Sequence, residues 1–368
     1  MSVRGTESIL DVIIGCDCDP DRPKYGGTRY DTSAPLRWHG ITEGLPLLRE
    51  LSDGIIDDFG TPVRLTWCLR SDLQMEEIYG DCAWPIEEFS ALWRDLERAG
   101  DELTWHPHLW RWDIRAGCWY QETEDVDWII ECLRAGHLAF ERVMNRSPRT
   151  CRAGWEFHNN TTMREIRTLG IRGDFSAIPG RYTQGCSDRW GSRFCGQVDW
   201  RGTPIHMYAP SACDYRVPDG GEETTGLHEI PMSGLHLPLL RLARIARRVF
   251  GRRLGAIREL RGALGRDHGP AGGNKLYVTA PPIFFSRLVA QQLCLARERG
   301  HATLVTALHP DEMLATSHSL TSLCHPDHVR VNLESLLCLG ERFNVRIRFT
   351  TPEALLLTVS KPRANAGG

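Results

Sequence analysis

Short apolar runs of strand type alternate with stretches of helical period from about residue 10 to residue 355, and this alternation restricts the fold more than any other property of the chain. Strand-like runs stand at Leu10 to Cys16, Pro62 to Leu69, Glu102 to Trp105, Thr150 to Gly154, Gly226 to Ser233, Tyr277 to Thr279, Ala302 to Ala307 and Val345 to Phe349. Between them, apolar residues at helical spacing predict helices at Ile41 to Leu51, Ile86 to Ala99, Trp128 to Met144, Asn160 to Leu169, Ser286 to Arg299 and Val331 to Leu339, with another starting at Thr351. Parallel strands need long crossovers, and helices supply them, so the pattern predicts an α/β protein with a parallel sheet, open or closed into a barrel. The 368 residues exceed the usual size of one domain, but a barrel carrying insertions reaches that length. Residues 1–360 are read as that one unit, with a frayed tail at 361–368.

Two segments interrupt the alternation. Residues 176–226 lose periodicity to Gly, Pro, Ser and Thr and are rich in aromatics, as expected of an inserted lid or substrate surface. Residues 235–270 carry an arginine-rich helical pattern in which nine arginines between Arg241 and Arg266 are offset only by Glu259. Such a face suits an anionic phosphate or a membrane surface. It equally suits a solvated helix in an arginine-biased chain, since lysine occurs only at 24, 275 and 361 and arginine makes up the other 41 of the 44 basic residues. The net charge of −3 provides no global field for nucleic acid, and no apolar run reaches the ~20 residues of a membrane span. Thirteen cysteines, an odd number without any Cys-x-x-Cys pair, follow no signal-peptide pattern. A reducing, cytoplasmic location is therefore expected, with peripheral contact at the inner membrane face through the arginine segment.

Reactive residue types gather at the strand exits. The first run ends in Asp17-Cys18-Asp19-Pro20-Asp21, where alternation puts Asp17 and Asp19 on one face and Cys16 and Cys18 on the other, as core residues. Three alternate acids raise one another's pKa unless a cation or a proton-transfer duty accounts for them; a solvated acidic turn, for which Asp-Pro is good material, is the alternative. The stretch Asp101 to Asp113 holds His106, His108 and three tryptophans, and Pro107 denies the ladder a donor, so both histidines stand where the strand ends. A third exit carries Leu308-His309-Pro310. One Asp with two His is a facial set that leaves coordination positions open on a divalent cation; a remaining carboxylate and a remaining His can then move protons. The set is chemically complete for amide or ester hydrolysis.

In the order and placement of these residues, the chain from about Val12 to Leu355 resembles the polysaccharide deacetylase family, the NodB-homology or carbohydrate esterase family 4 group. The resemblance implies a distorted, seven-stranded (β/α) barrel and a metal-dependent N-deacetylase. It maps the family's base onto Asp17 and a metal ligand onto Asp19, with the exchanged assignment also open, because the two are separated by one residue rather than adjacent. It maps the metal histidines onto His106 and His108; four residues after His106, where the family carries its second His, this chain has Trp110. Arg152, in Cys151-Arg-Ala-Gly-Trp155, matches the arginine that orients the base. Gly173 to Ser176 loosely echoes the fourth motif, and His309 matches the general acid. The implied ion is Zn2+, with Co2+, Ni2+ or Mn2+ as alternatives. The implied reaction removes an acetyl or formyl group from an amino sugar or glycan precursor, in cell-surface glycan or secondary-metabolite biosynthesis. Trp110, Trp112, Trp155 and Glu229 are expected to contact substrate. An inactive sugar-binding protein on the same fold, or a hydrolase of a non-sugar amide, are the competing expectations.

Overall fold

The computed structural model describes residues 7–23, 26–184, 193–194, 197–220, 226–235, 274–275, 277–314 and 324–359. Its main sheet contains eight strands, numbered here in chain order: β1 (Ile9–Cys18), β2 (Thr66–Arg70), β3 (Glu102–His106), β4 (Thr150–Cys151), β5 (Gly173–Asp174), β6 (His228–Glu229), β7 (His301–Leu308) and β8 (Arg346–Phe349). All of the pairings between them are parallel. Seven strands run in the order β6-β5-β4-β3-β2-β1-β7 and curl into a half-barrel, with β8 added on β1.

β1 is the axis of this arrangement. Its sequence is almost wholly apolar, as a strand covered on both faces must be, and every residue after Ile9 is buried. β7 follows β1 from Ile9 to Cys16, so the other edge of β1 is shared, by β8 at Ile9 to Val12 and by β2 at Gly15 to Cys18. The rim between β6 and β7 is bridged by Ser233, whose amide donates to the Val305 carbonyl at 3.0 Å. Its hydroxyl accepts from the Val305 amide at 3.0 Å and donates to the Thr303 carbonyl at 3.3 Å.

Helices Leu45–Ser52, Val126–Met144, Asn160–Thr168, Pro282–Arg299 and His328–Phe343 correspond to predicted ones within a few residues. The predicted helix Ile86 to Ala99 is two helices, Trp84–Glu88 and Ser90–Arg98, because Phe89 leaves helical geometry at φ −101° and ψ 23°. Helix Leu73–Tyr79 was not predicted, though its signals stand in the sequence: Asp72 caps it by accepting from the amides of Gln74 and Met75, and Gly80 ends it at φ 85°. The predicted strand Gly226 to Ser233 shortens to two residues, and Tyr277 to Thr279 makes only an isolated bridge from Tyr277 to Ala307. Residues 110–121 form an unforeseen antiparallel hairpin, Trp110–Asp113 with Cys118–Gln121. The arginine-rich stretch Arg241 to Arg266 lies outside the described residues. Among the described residues, no helix is long and apolar enough to cross a membrane.

The core lies between the strands and their helices and includes fully buried Trp67, Trp93 and Trp105. Cys16 and Cys18 belong to it, on the face of β1 opposite the acids. Asp101 is a structural acid, accepting from the Leu65 amide and the Trp67 indole and pairing with Arg49.

Candidate active site

The carboxyl ends of β1, β2, β3 and β7 meet at one rim, where α/β barrels carry their chemistry. In register, His106 lies beside Arg70, and the exit of β1 lies beside both β2 and β7. The backbone turns just after β1, with the Asp19 amide donating to the Asp17 carbonyl at 2.8 Å. A cavity of about 290 Å³ opens there, and Asp17, Asp19, His106, His108 and His309 all line it.

Asp19, His106 and His108 form a compact donor set. Each contributes one ligand-capable atom, and these lie within 4.8 Å of one another. The two Nε2 atoms are 3.1 Å apart; that of His108 is 3.2 Å from Asp19 Oδ1 and that of His106 is 3.5 Å from Asp19 Oδ2. His106 Nδ1 lies 2.5 Å from the Arg152 carbonyl, which can only accept, so Nδ1 carries a proton and Nε2 is the atom turned to the cavity. Burial opposes protonation of His106 but the adjacent Asp19 favours it, and the neutral ring, with its Nε2 lone pair toward Asp19 and His108, is the form that metal binding selects. Burial and the nearby Arg70 charge pull His108 down to about 4, so its imidazole is neutral, the form that ligates a metal. Burial opposes the charge on Asp19, but its contacts with His108 and His106, ring N–H bonds and the charge His106 carries when no ion is bound, more than offset it and hold its carboxyl well below the usual range. Two nitrogens and one carboxylate with a carbonyl-fixed tautomer fit a divalent ion such as zinc.

The loop carrying His108 is pinned from two sides. The His108 amide donates to Asp72 Oδ2 at 3.2 Å, and the Gly154 amide donates to the Pro107 carbonyl at 2.8 Å. Gly154 must be glycine here, since a Cβ would lie 2.3 Å from the His108 ring.

Asp17 stands beside this set with different partners. Arg152 Nε is 3.1 Å from its Oδ1, while His309 Nε2 and Lys275 Nζ are 3.6 Å and 3.7 Å from its Oδ2. Burial opposes ionisation, but Arg152 and Lys275 outweigh it, and the carboxyl stays below its ordinary range. Arg152 is fully buried and reaches Asp17 past Gly15, where a Cβ would come within 2.8 Å of its Nη1. His309 Nδ1 lies 3.7 Å from the buried carboxylate of Glu312, which is itself tied to Thr279 and Arg22.

The other expected site residues divide. Trp110 and Trp155 line the cavity and meet edge to face at 5.7 Å, and Tyr30 stacks on Trp110 at 5.1 Å. Trp112 does not line it and packs on Trp119 within the hairpin. Glu229 also lies off the cavity, fully buried behind the rim, where it accepts from the Ala177 amide at 2.9 Å. Burial and the adjacent Asp174 push the Glu229 carboxyl well above its usual range, which favours its protonated form, and its place off the cavity makes it a structural acid. Sequence reasoning missed Arg70, Asp72, Glu156, Arg181 and Lys275. Arg70 closes the β2 exit, donating to Asp19 Oδ1 at 2.9 Å and to Asp72. A buried arginine ending a strand beside an acidic exit is a legible signal, as is a lysine in a chain that has three.

Two solved structures share this architecture. One, assigned as a polysaccharide deacetylase from Mycobacterium smegmatis, matches with a TM-score of 0.50 at 14% identity, over 100% of this chain and 97% of that one. The chain has the polysaccharide deacetylase fold. A second structure, assigned as a glycoside hydrolase/deacetylase from Parabacteroides distasonis, matches with a TM-score of 0.53 at 13% identity, over 98% of this chain and 74% of that one. No family model matches the chain, and no curated protein matches it.

Proposed function

We propose that the protein is a metal-dependent hydrolase that removes an N-acyl group, acetyl or formyl, from an amino sugar or a sugar-containing precursor. The observation that carries this reading is the pairing of two sets at one rim: the Asp19, His106 and His108 donors, and beside them an ionised Asp17 held by Arg152 and facing His309. Asp19, His106 and His108 would hold the ion, with zinc expected and cobalt, nickel or manganese as substitutes. A divalent cation bound there supplies Lewis acidity toward the acyl oxygen and acidifies water.

The remaining steps belong to the chain's own groups. Asp17 takes the proton of the attacking water, and Arg152 keeps it ionised and oriented for that task. His309 delivers a proton to the departing nitrogen, so water and amide yield a free amine and a carboxylic acid. Trp155, half-buried at the mouth against Trp110, offers a flat apolar face to a sugar ring. We place the reaction in the cytoplasm, on a biosynthetic precursor, on the strength of the cysteine usage. In the test, zinc-loaded protein releases acetate or formate from N-acylated sugars, and chelation abolishes the release. Release that survives both chelation and Asp17→Asn would sink this reading.

A further inference from the structure

One group of charged residues in the cavity has no part in the steps above. Glu156 carries it, on a backbone that L residues seldom adopt: Trp155 and Glu156 stand consecutively at φ 57° and φ 54°. Left-handed non-glycine residues persist only where surrounding contacts hold them, and they cluster at ligand clamps. Here the conformation presents Trp155 to the cavity and directs Glu156 to two cations from separate parts of the chain. Lys275 Nζ is 2.8 Å from Glu156 Oε1, and Arg181 Nη1 is 3.0 Å from Oε2.

The charges do not balance. Arg152, Arg181 and Lys275 are three cations, and the carboxylates they contact, Asp17 and Glu156, are two. Among the described residues, one positive charge is left over on this wall. Lys275 is 8% exposed and has three donors, of which one has a hydrogen-bond partner among the described residues, since Asp17 at 3.7 Å is beyond bonding range. Arg181 is 24% exposed and stands toward the mouth. Across the cavity the cations are already matched, Arg70 by Asp19 and Asp72, and Arg22 by Asp311 and Glu312. An incoming anion therefore finds its complement on the Arg181 and Lys275 side. Trp155 adjoins that side, so a ring stacked on the indole brings its substituents toward the two cations.

We infer that Arg181 and Lys275, spaced by Glu156, form a subsite for an anionic substituent, a carboxylate or a phosphate, on the acylated sugar. The inference rests on the hydrolase reading for its substrate class, and extends it by making the substrate an acidic amino sugar. Charge-assisted hydrogen bonds from two partly desolvated cations give about tenfold or more in affinity over the neutral sugar.

Calorimetry on the zinc-loaded full chain tests this with three probes that share an N-acetylated ring: N-acetylglucosamine, its 6-phosphate, and N-acetylmuramic acid as the carboxylate arm. At least one acidic probe should bind about tenfold tighter than the neutral sugar, and Arg181→Gln should remove most of that ratio while Arg181→Lys restores part of it. Equal binding of all three probes, no binding of any, or a preference that survives Arg181→Gln overturns the subsite. Acetate release is followed in parallel. Acidic preference in binding without release of acetate removes the hydrolase reading and keeps the subsite; release without acidic preference does the reverse.

Discussion

His108 follows His106 by two residues, and on an extended backbone two residues is the spacing that returns a side chain to the same face. The same rule places Asp17 and Asp19 together at the end of β1 and sends Cys16 and Cys18 into the core. Both pairs were legible in the sequence for that reason. Arg152 was legible only through resemblance; Arg70 and Lys275 left a signal of position or rarity but not of role, and Glu156 left none, because the partners that set their roles lie more than 50 residues away. Two predictions belong to this scale. Asp17→Asn should lower kcat by about 10²- to 10⁴-fold while zinc content stays near one equivalent, since Asp17 is not among the donor atoms. Loss of the metal together with activity would show instead that Asp17 is a ligand. His108→Ala should weaken zinc binding by at least about 100-fold in a chelator competition. Unchanged affinity would leave the set without its third member.

At the scale of elements, what decides the site is how segments are pinned. The loop after β3 is held by Asp72, the cap of helix Leu73–Tyr79, and by Gly154, the residue whose missing Cβ leaves room for the His108 ring. Gly154→Ala should therefore displace His108 and reduce zinc affinity by more than about tenfold, with far-UV circular dichroism unchanged. Full affinity in that variant would mean the loop yields without moving the ligand. Ser233 plays the corresponding part at the rim between β6 and β7. Ser233→Ala leaves the buried Val305 amide without its acceptor and should cost roughly 1–3 kcal/mol, read from a denaturant midpoint. Element existence was largely legible, because strand and helix periods differ. Element length was not: β6 pairs over two residues and Tyr277 makes a single bridge, and the hairpin at residues 110–121 forms from a stretch whose tryptophans suggested only substrate contact.

Over the whole molecule, the half-barrel gathers the carboxyl ends of four strands and buries the acids that the chemistry and the packing need. The two kinds answer pH with opposite sign. Asp17 and Asp19 have folded-state pKa values below the unfolded ones, so their contribution to stability is present above about pH 4 and lost as the pH falls through the lowered values. Glu229 is raised, so its contribution is complete below the unfolded value and drains away as the pH rises. Glu229→Gln keeps the shape and removes the titration; it should raise the melting temperature by about 2 °C or more at pH 8 and by less at pH 5. An equal loss at both values would contradict a protonated Glu229. The amino-acid sequence by itself determined the parallel α/β architecture, the three strand exits and the chemistry available at them, because periodicity and residue type are local properties. Only the tertiary structure decided which acids share a cavity. Asp19 and Asp17 were set against different partners there, and Glu229 and Trp112 were kept off the cavity. Glu156 was joined to Arg181, 25 residues on, and to Lys275, 119 residues on, since pairing over such distances is fixed by the curl of the sheet and not by spacing along the chain.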